Sequence, residues 1–245
     1  MTDLAAPPAV PVPALPRPVD AVAYHDGGAV KERATLVDGK AHGEVVRYGP
    51  DGRVAGRTRY RMGVLDGEVV TYDEAGQTAV RARYRAGQLH GDLEVFEGGE
   101  PKLVTPYLLG RRDGESVTYA PGGAVLSRLR WRADLQHGRS EFYDGEGRLA
   151  RTAEYRAGVL HGDTTDYYPS GAVRERTPYL AGKVTGEVVA YHENGRPMRR
   201  QAYRSGKPVG KATWYDERGR ERKSPRSTSE LRAWRRLVLR LAGKR

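Results

Sequence analysis

Polar and apolar residues alternate strictly in several short stretches of the chain. In residues 80–85 every second residue is arginine, and the residues between are Val, Ala and Tyr. Residues 56–61 have the same period, with Gly, Thr and Tyr between the arginines. A period of two places alternate side chains on opposite faces of a β-strand. The pattern therefore predicts strands with one buried face, and it blurs in later parts of the chain.

Two kinds of turn signal separate these predicted strands. The first is typified by residues 84–91, Tyr-Arg-Ala-Gly-Gln-Leu-His-Gly, and the second by residues 72–76, Tyr-Asp-Glu-Ala-Gly. Gly, Asp and Asn tolerate the positive φ that tight hairpin turns require. The alternation of short strands and turns predicts antiparallel β-hairpins.

The strand and turn pattern recurs about eight times, with a period of 24 residues that shortens to 23 at one step. A glycine marks each copy: Gly43, Gly67, Gly91, Gly114, Gly138, Gly162, Gly186 and Gly210. An aromatic residue follows each glycine five residues later: Tyr48, Tyr72, Phe96, Tyr119, Tyr143, Tyr167, Tyr191 and Tyr215. A second large apolar residue lies seven residues before each glycine: Leu36, Tyr60, Tyr84, Tyr107, Trp131, Tyr155, Tyr179 and Tyr203. A further glycine usually lies four residues upstream of the first, with Asp134 in its place in the fifth copy.

These features predict an all-β fold, an elongated antiparallel array of about eight 24-residue hairpin repeats and roughly seventeen strands. Each repeat packs only on its neighbours, so both ends of such an array need protection. We expect three regions: a Pro-rich disordered lead-in at residues 1–21, the repeat array at residues 22–219, and a basic tail at residues 220–245.

Composition agrees with a thin, turn-rich architecture. Only 38% of the residues are apolar and 31 are glycine, which argues against a single deep core. The chain has no cysteine, which excludes disulfides, thiolate nucleophiles and cysteine zinc sites. No apolar run is long enough for a transmembrane helix. Asp3 and six prolines in the first twenty residues differ from a signal peptide, so we expect a cytoplasmic protein.

The basic charge of the chain is concentrated at its C-terminus. Of the formal net charge of +11, residues 220–245 contribute +8, with ten basic and two acidic residues. After the polar break at residues 224–229, Leu231, Trp234, Leu237 and Leu241 recur at helical spacing. A short amphipathic α-helix is therefore predicted. Its candidate partner-binding or lipid-binding residues are Arg232, Trp234, Arg235, Arg236 and Arg240. The helix either caps the last strand or binds an anionic surface, and the two roles are compatible.

Two series of titratable residues, one of histidines and one of acids, are candidate metal-binding or catalytic residues. The histidines immediately before the repeat glycines are His42, His90, His137 and His161. Equivalent histidines in neighbouring repeats would lie roughly 10 Å apart, too far to share a metal ion, so a turn role is favoured. The acids immediately after the repeat glycines, such as Glu44 and Glu68, are expected to form cross-strand ion pairs with arginines. We therefore predict no enzyme activity, no cofactor, no metal and no small-molecule substrate.

The segment from Tyr155 to Asp163, with Tyr167 and Gly171, resembles the MORN repeat, and in particular its bacterial variant. The resemblance covers about residues 22–219 and implies the hairpin-repeat fold. Many bacterial members of this variant family are catalogued as antitoxins, and some are similar to immunity proteins. Eukaryotic relatives are associated with membrane tethering and scaffolding. In this comparison the repeat glycines and the tyrosines that follow them define the structure.

The resemblance and the composition together predict a bacterial, non-enzymatic protein-binding repeat protein. The leading hypothesis is an antitoxin or immunity protein that neutralises a cognate toxin by direct binding. The alternative is a peripheral adaptor at the inner membrane, which binds anionic lipid through the basic C-terminal helix. The aromatic ladder is favoured as core over a base-stacking platform, and no specific nucleic-acid binding is expected.

Overall fold

In the computed structural model, residues 17–223 are described, and all their regular secondary structure is β-strand. The strands are β1 (Val19–Tyr24), β2 (Val30–Val37), β3 (Lys40–Ala41), β4 (Gly43–Tyr48), β5 (Val54–Arg61), β6 (Val64–Tyr72), β7 (Thr78–Arg85), β8 (Gln88–Glu97), β9 (Glu100–Leu108), β10 (Arg111–Arg112), β11 (Gly114–Tyr119), β12 (Val125–Arg132), β13 (Leu135–Gln136), β14 (Gly138–Tyr143), β15 (Leu149–Arg156), β16 (Val159–Tyr167), β17 (Val173–Leu180), β18 (Lys183–Val184), β19 (Gly186–Tyr191), β20 (Pro197–Arg204), β21 (Lys207–Tyr215) and β22 (Glu221–Arg222). The predicted C-terminal helix lies outside the described residues.

The described strands number 22, more than the predicted seventeen, because in four repeats the second strand is divided into two segments. One residue before the repeat glycine separates the segments: His42, Asp113, His137 and Thr185. Each of these residues still donates its backbone N–H across the hairpin, as His42 does to Thr35 at 2.8 Å. The division is therefore local irregularity within a continuous hairpin.

The chain divides into two compact units, with the boundary in β9. Unit 1 comprises Met1–Gly99 and Tyr107–Gly110, and unit 2 comprises Glu100–Pro106 and Arg111–Arg245. In unit 1, antiparallel pairing connects β1 through β8, and in unit 2 it continues hairpin by hairpin to β22.

Two of the predicted boundaries differ from the observed strands. β1 begins at Val19, so strand occupies the last three residues of the predicted lead-in. β22 lies within the predicted tail and pairs with β21 through Trp214–Arg222 and Tyr215–Glu221. β1 and β22 each pair with a strand of the repeat array. The β-structure therefore extends a few residues beyond the predicted array at both ends.

The short turn of each repeat has positive φ at both central residues. In the turn between β5 and β6, φ is 51° at Met62 and 80° at Gly63, as in a type I′ turn. The fifth copy has the same geometry, with φ 68° at Asp134. The N–H of the second residue also donates to the preceding repeat, as Gly63 does to the Ala41 carbonyl at 2.7 Å. These turns therefore join neighbouring repeats as well as the two strands of one hairpin.

The repeat glycine lies in a bulge beside the short turn. Between β5 and β6, Thr58 pairs with Val69 and Tyr60 with Leu65, so three residues of β6 face one residue of β5. Gly67, in the middle of this bulge, has a φ of 127°. A Cβ atom on Gly67 would lie 2.9 Å from Cβ of Arg59. Both the backbone conformation and the close approach of Arg59 therefore require glycine.

Each unit has two differently composed sheet faces, which we call the packed face and the ion-pair face. In unit 1 the packed face carries Val45, Val69, Ala82 and Leu93 beside the ring of Tyr84. Val45 is only 3% exposed and Ala82 4%. In unit 2 the packed face carries Ser140, Ala153, Thr164, Val188 and Gln201, all buried. The alternation predicted from residues 80–85 is thus confirmed, with Arg83 and Arg85 exposed on the ion-pair face.

Candidate functional site

The residues predicted to bind a partner or lipid, Arg232, Trp234, Arg235, Arg236 and Arg240, lie outside the described residues. The repeat glycines have positive φ at every copy, from 69° at Gly210 to 127° at Gly67. The aromatics five residues after them are half-buried. Phe96 lies beside a guanidinium, with Cζ of Arg81 5.6 Å from the ring centroid. These repeat-defining residues therefore shape the hairpins in both units.

The acids that follow the repeat glycines form the predicted cross-strand ion pairs. The four closest pairs join an acid to the arginine 13 residues later: Glu44–Arg57 at 2.9 Å, Glu115–Arg128 at 2.8 Å, Asp163–Arg176 at 2.7 Å and Glu187–Arg200 at 2.7 Å. All four pairs are at least one-third exposed. Exposed pairs of this kind contribute about 0–1 kcal/mol each. Each of these pairs on the ion-pair face therefore contributes little to stability.

The histidine ladder does not assemble a metal site among residues 17–223, where no group of three or more His, Asp or Glu side chains converges as metal ligands. Other histidines contact the next repeat. Nε2 of His25 lies 3.0 Å from the Tyr48 carbonyl, and Nε2 of His192 lies 3.0 Å from the Tyr215 carbonyl. Tyr168 donates its hydroxyl to the Tyr191 carbonyl at 2.8 Å from the corresponding position. This position therefore links successive long turns.

The packed face of unit 2 carries a chain of charged side chains, which we call the ionic chain: Arg151, Asp166, Glu175 and Arg199. Arg151 donates from Nε and Nη2 to the two Asp166 carboxylate oxygens, at 2.6 and 3.0 Å. Glu175 lies directly opposite Asp166 in the β16–β17 register. Nη2 of Arg199 lies 3.3 Å from the Glu175 carboxylate. The ionic chain thus runs from β15 to β20, and Arg199 reaches Glu175 across β19, where Ala190 lies between them.

Burial distinguishes the ionic chain from the other ion pairs. The Arg151 and Asp166 side chains are 28% and 13% exposed, and those of Arg199 and Glu175 are 12% and 14% exposed. In unit 1, Arg47 and Glu32 form the same cross-strand pair with the charges exchanged, at 2.8 Å, and are 60% and 34% exposed. Because water screens the unit 1 pair more strongly, the unit 2 pair has the stronger electrostatic interaction.

Burial also raises the pKa of several groups in unit 2. Desolvation raises the pKa of the Glu175 carboxyl above its usual range, although Arg199 opposes this effect. The nearby Asp166 carboxylate raises the same pKa further. Burial likewise raises the pKa of the Tyr155 and Tyr179 hydroxyls, so both phenols stay protonated and able to donate hydrogen bonds at neutral pH.

A groove of about 470 Å³ opens on this packed face beside the ionic chain, and we call it the tyrosine groove. Its lining residues are Phe142, Tyr143, Ala150, Arg151, Ala153, Tyr155, Leu160, Thr164, Asp166 and Tyr179. Aromatic rings and small aliphatic side chains make up most of the lining, with one arginine–carboxylate pair. A groove of similar size, about 500 Å³, lies on the ion-pair face of unit 1, but it is lined mainly by charged side chains such as Glu68, Arg83 and Asp92. The tyrosine groove is therefore better suited to desolvated binding.

Sequence reasoning did not select the ionic chain, although the repeat alignment contains a signal for it. Arg151, Glu175 and Arg199 occupy the position four residues before the large apolar residue in three successive copies. At this position unit 1 has Glu32, Gly56 and Val80, and the two preceding copies have Leu103 and Ser127, so only these three copies are charged in succession. A run of alternating charge on a face otherwise composed of small and apolar residues would have indicated a specialised surface.

Comparison with known proteins gives a family match for one segment of the repeat array. Residues 160–181 match the family model described as MORN repeat variant. This segment runs from β16 into the following short turn, and it contains Asp166, Glu175 and Tyr179. The match supports a MORN-repeat protein, consistent with the resemblance seen in the sequence. A search of curated proteins finds no match to this chain. No helix in residues 17–223 is long and apolar enough to cross a membrane.

Proposed function

We propose that this MORN-repeat protein is a non-enzymatic binding protein that docks a protein partner on the packed face of unit 2. The observation that supports the proposal is the tyrosine groove, where Tyr155 and Tyr179 lie beside the half-buried Arg151–Asp166 pair. Tyrosine and arginine are enriched among the residues that dominate binding energy at protein interfaces. An aromatic or aliphatic side chain of the partner would fill the groove.

The rigidity of this face supports the same role. Arg151 is fixed by two hydrogen bonds to Asp166 and is mostly buried, so little side-chain entropy remains to be lost on binding. The hydroxyls of Tyr155 and Tyr179 supply polar groups that orient a partner. A preformed surface with few mobile side chains favours tight and specific association.

For the partner, we propose a cognate bacterial toxin or effector that is neutralised by direct binding. The antitoxin and immunity proteins of the MORN-variant family motivate this choice. An inhibitor that imitates nucleic acid should be acidic, whereas this chain has a net charge of +11. The complex would therefore cover the toxin away from a nucleic-acid cleft, or involve a toxin that does not act on nucleic acid.

Co-expression with the product of the adjacent open reading frame tests this proposal. We expect toxicity of the neighbour alone, rescue of growth by this protein, and a stoichiometric complex on purification. Tyr179→Ala should weaken the complex at least ~10-fold, as expected for an interface hot spot. Tyr84→Ala is the matched control, because Tyr84 occupies the same repeat position in unit 1. Equal weakening by both variants, or no complex with the wild type, would argue against docking at this groove.

The second candidate function is a peripheral membrane adaptor, and it rests on the ten basic residues of segment 220–245. A basic segment of this kind is attracted to anionic lipid headgroups. Flotation with phosphatidylserine-containing vesicles separates the two functions. Lipid binding that is lost when the chain is ended after Lys223, which retains β22, supports the adaptor. Absence of binding to these vesicles eliminates it.

A further inference from the structure

One edge of β1, the first strand of unit 1, is unpaired within the described residues. β1 pairs with β2 through six residues, from Val19–Leu36 to Tyr24–Val30. Among residues 17–223 no other strand pairs with β1. Within the described part of the chain, its outer backbone N–H and C=O groups therefore have no strand partner and can pair with another strand.

The side chains of β1 are unusually apolar for an edge strand. Val19 is 62% exposed, Val22 44% and Tyr24 62%. Asp20 is the only charged residue in the strand, and its carboxylate accepts a hydrogen bond from the Thr35 hydroxyl at 3.2 Å. Native proteins usually protect such edges with charged residues, prolines, bulges or very short strands.

The last strands of unit 2 have the protection that β1 lacks. β22 contains only two residues, Glu221 and Arg222, and both are exposed. β21 presents exposed lysines at Lys207 and Lys211. In contrast, β1 is regular along its whole length, because the irregularity in its pairing with β2 arises from the extra residue Lys31 in β2. β1 therefore retains a straight, apolar edge.

We propose that β1 pairs antiparallel with β1 of a second copy of this chain, about a two-fold axis at Val22. In this register Val22 faces Val22 of the second copy, Ala21 faces Ala23, and Asp20 faces Tyr24. Residues that face each other in an antiparallel pair share a sheet face, so the register must relate residues of equal parity. It places a β-branched pair at the axis, and no two like charges face each other.

The register centred on Ala21 is less favourable. It places Asp20 against Val22 and leaves the exposed Tyr24 ring beyond the paired region. The register centred on Val22 covers both Val22 and Tyr24, which are exposed on the ion-pair face. The exposed apolar side chains therefore select this alignment.

The small area of this interface predicts weak dimerisation. Five paired residues bury much less than the roughly 800 Å² per partner that is typical of stable complexes. The dimer should therefore be a reversible equilibrium, with monomer at low micromolar and dimer at high micromolar concentration. It concerns a strand of unit 1, so it is independent of docking at the tyrosine groove of unit 2.

Cysteine crosslinking of the full-length chain tests the register directly, since the natural chain has no cysteine. Val22→Cys should form an intermolecular disulfide several-fold faster than Val64→Cys, a control at an equally exposed valine in the turn-proximal part of β6. Ala21→Cys and Ala23→Cys should each crosslink poorly alone and efficiently when mixed. Faster crosslinking by Ala21→Cys alone than by Val22→Cys would overturn this register.

Sedimentation equilibrium provides the second test. The wild-type chain should shift from monomer to dimer with increasing concentration. Val22→Lys should abolish the shift because it places two like charges together at the axis, whereas Val64→Lys should preserve it. A wild-type chain that stays monomeric up to the highest concentration, with no preferential crosslinking at Val22, would overturn the proposal. Equal dimerisation of Val22→Lys would place the interface elsewhere and likewise overturn it.

Discussion

Units 1 and 2 are built from the same repeat, yet their packed faces differ at equivalent positions. Four residues before the large apolar residue of each copy, unit 1 has Glu32, Gly56 and Val80, whereas the last three copies of unit 2 all carry a charge, at Arg151, Glu175 and Arg199. The strand pairing of β5 with β6 and of β15 with β16 is nevertheless the same, including the bulge at the repeat glycine. The backbone ladder and the turns therefore specify the hairpin, and the side chains of the packed face are free to specialise.

Ion pairs at equivalent positions of the two units also differ in their burial. Glu32–Arg47 in unit 1 and Arg151–Asp166 in unit 2 join the same two strand positions with opposite polarity. The unit 1 pair is solvated, and the unit 2 pair is largely buried beside aromatic rings. Burial, and not the presence of an ion pair, therefore distinguishes the candidate binding surface.

The largest effect on stability is expected from breaking the buried Arg151–Asp166 pair. Asp166→Ala removes the two carboxylate acceptors that Asp166 offers to the mostly buried Arg151 side chain, which should lower the free energy of unfolding by about 3 kcal/mol. Glu32→Ala removes the acid of the exposed pair and should cost less than about 1 kcal/mol. Urea denaturation of both variants measures the difference. Equal losses would mean that the burial difference has no energetic consequence.

Substitution of different repeat glycines by alanine should lower the stability by different amounts. Gly67→Ala combines a φ of 127° with a Cβ placed 2.9 Å from Arg59 Cβ, and we expect a loss of about 2 kcal/mol. Gly210→Ala meets no atom within 4 Å and has a φ of 69°, so a loss of about 1 kcal/mol is expected. Thermal unfolding of the two variants provides the comparison. A larger loss for Gly210→Ala would contradict steric control by the neighbouring side chain.

Glu175 should give unit 2 a specific pH dependence. Its pKa is raised in the folded state, so the folded protein binds the proton more tightly than the unfolded chain does. The stability it contributes is full below the unfolded pKa and declines as the pH rises through the raised folded pKa. Glu175→Gln should remove this decline and be at least as stable as the wild type at neutral pH.

Denaturation at several pH values between 4 and 8, chosen to span the ordinary glutamate pKa of about 4.3 and the range above it, measures this effect. Glu187→Gln, at an exposed ion pair of the same unit, controls for the loss of one carboxylate. A Glu175→Gln variant that is markedly less stable than the wild type at neutral pH would show that the Arg199 pair outweighs desolvation.

The smallest effects are expected on the ion-pair faces, which resemble each other in the two units. Arg57→Gln in unit 1 and Arg176→Gln in unit 2 each remove one exposed pair. Both should lower stability by about 0.5 kcal/mol or less, and added salt should reduce the difference from wild type. Chemical denaturation at low and high salt checks this. A clearly larger loss for Arg176→Gln would show that the specialisation of unit 2 extends to both faces.

The hairpin repeat, its two turns and the two faces of its strands could be predicted from the residue pattern alone. This was possible because these features depend on local chemistry. Positive φ at the turns and bulges selects glycine, and the period of two assigns residues such as Ala82 and Arg83 to opposite faces. The cross-strand ion pairs were also predictable, because repeat spacing brings Glu44 and Arg57 to adjacent strands.

Which of the many charged residues are buried could not be predicted in this way, because it depends on how the hairpins stack. Arg151, Asp166, Glu175 and Arg199 lie on four strands and come together only when three hairpins are stacked. The Arg47–Glu32 pair is exposed. The Arg151–Asp166 pair is buried because large side chains such as Phe142 and Tyr179 lie beside it. Burial is a collective property of several repeats, so the residues of one repeat do not determine it.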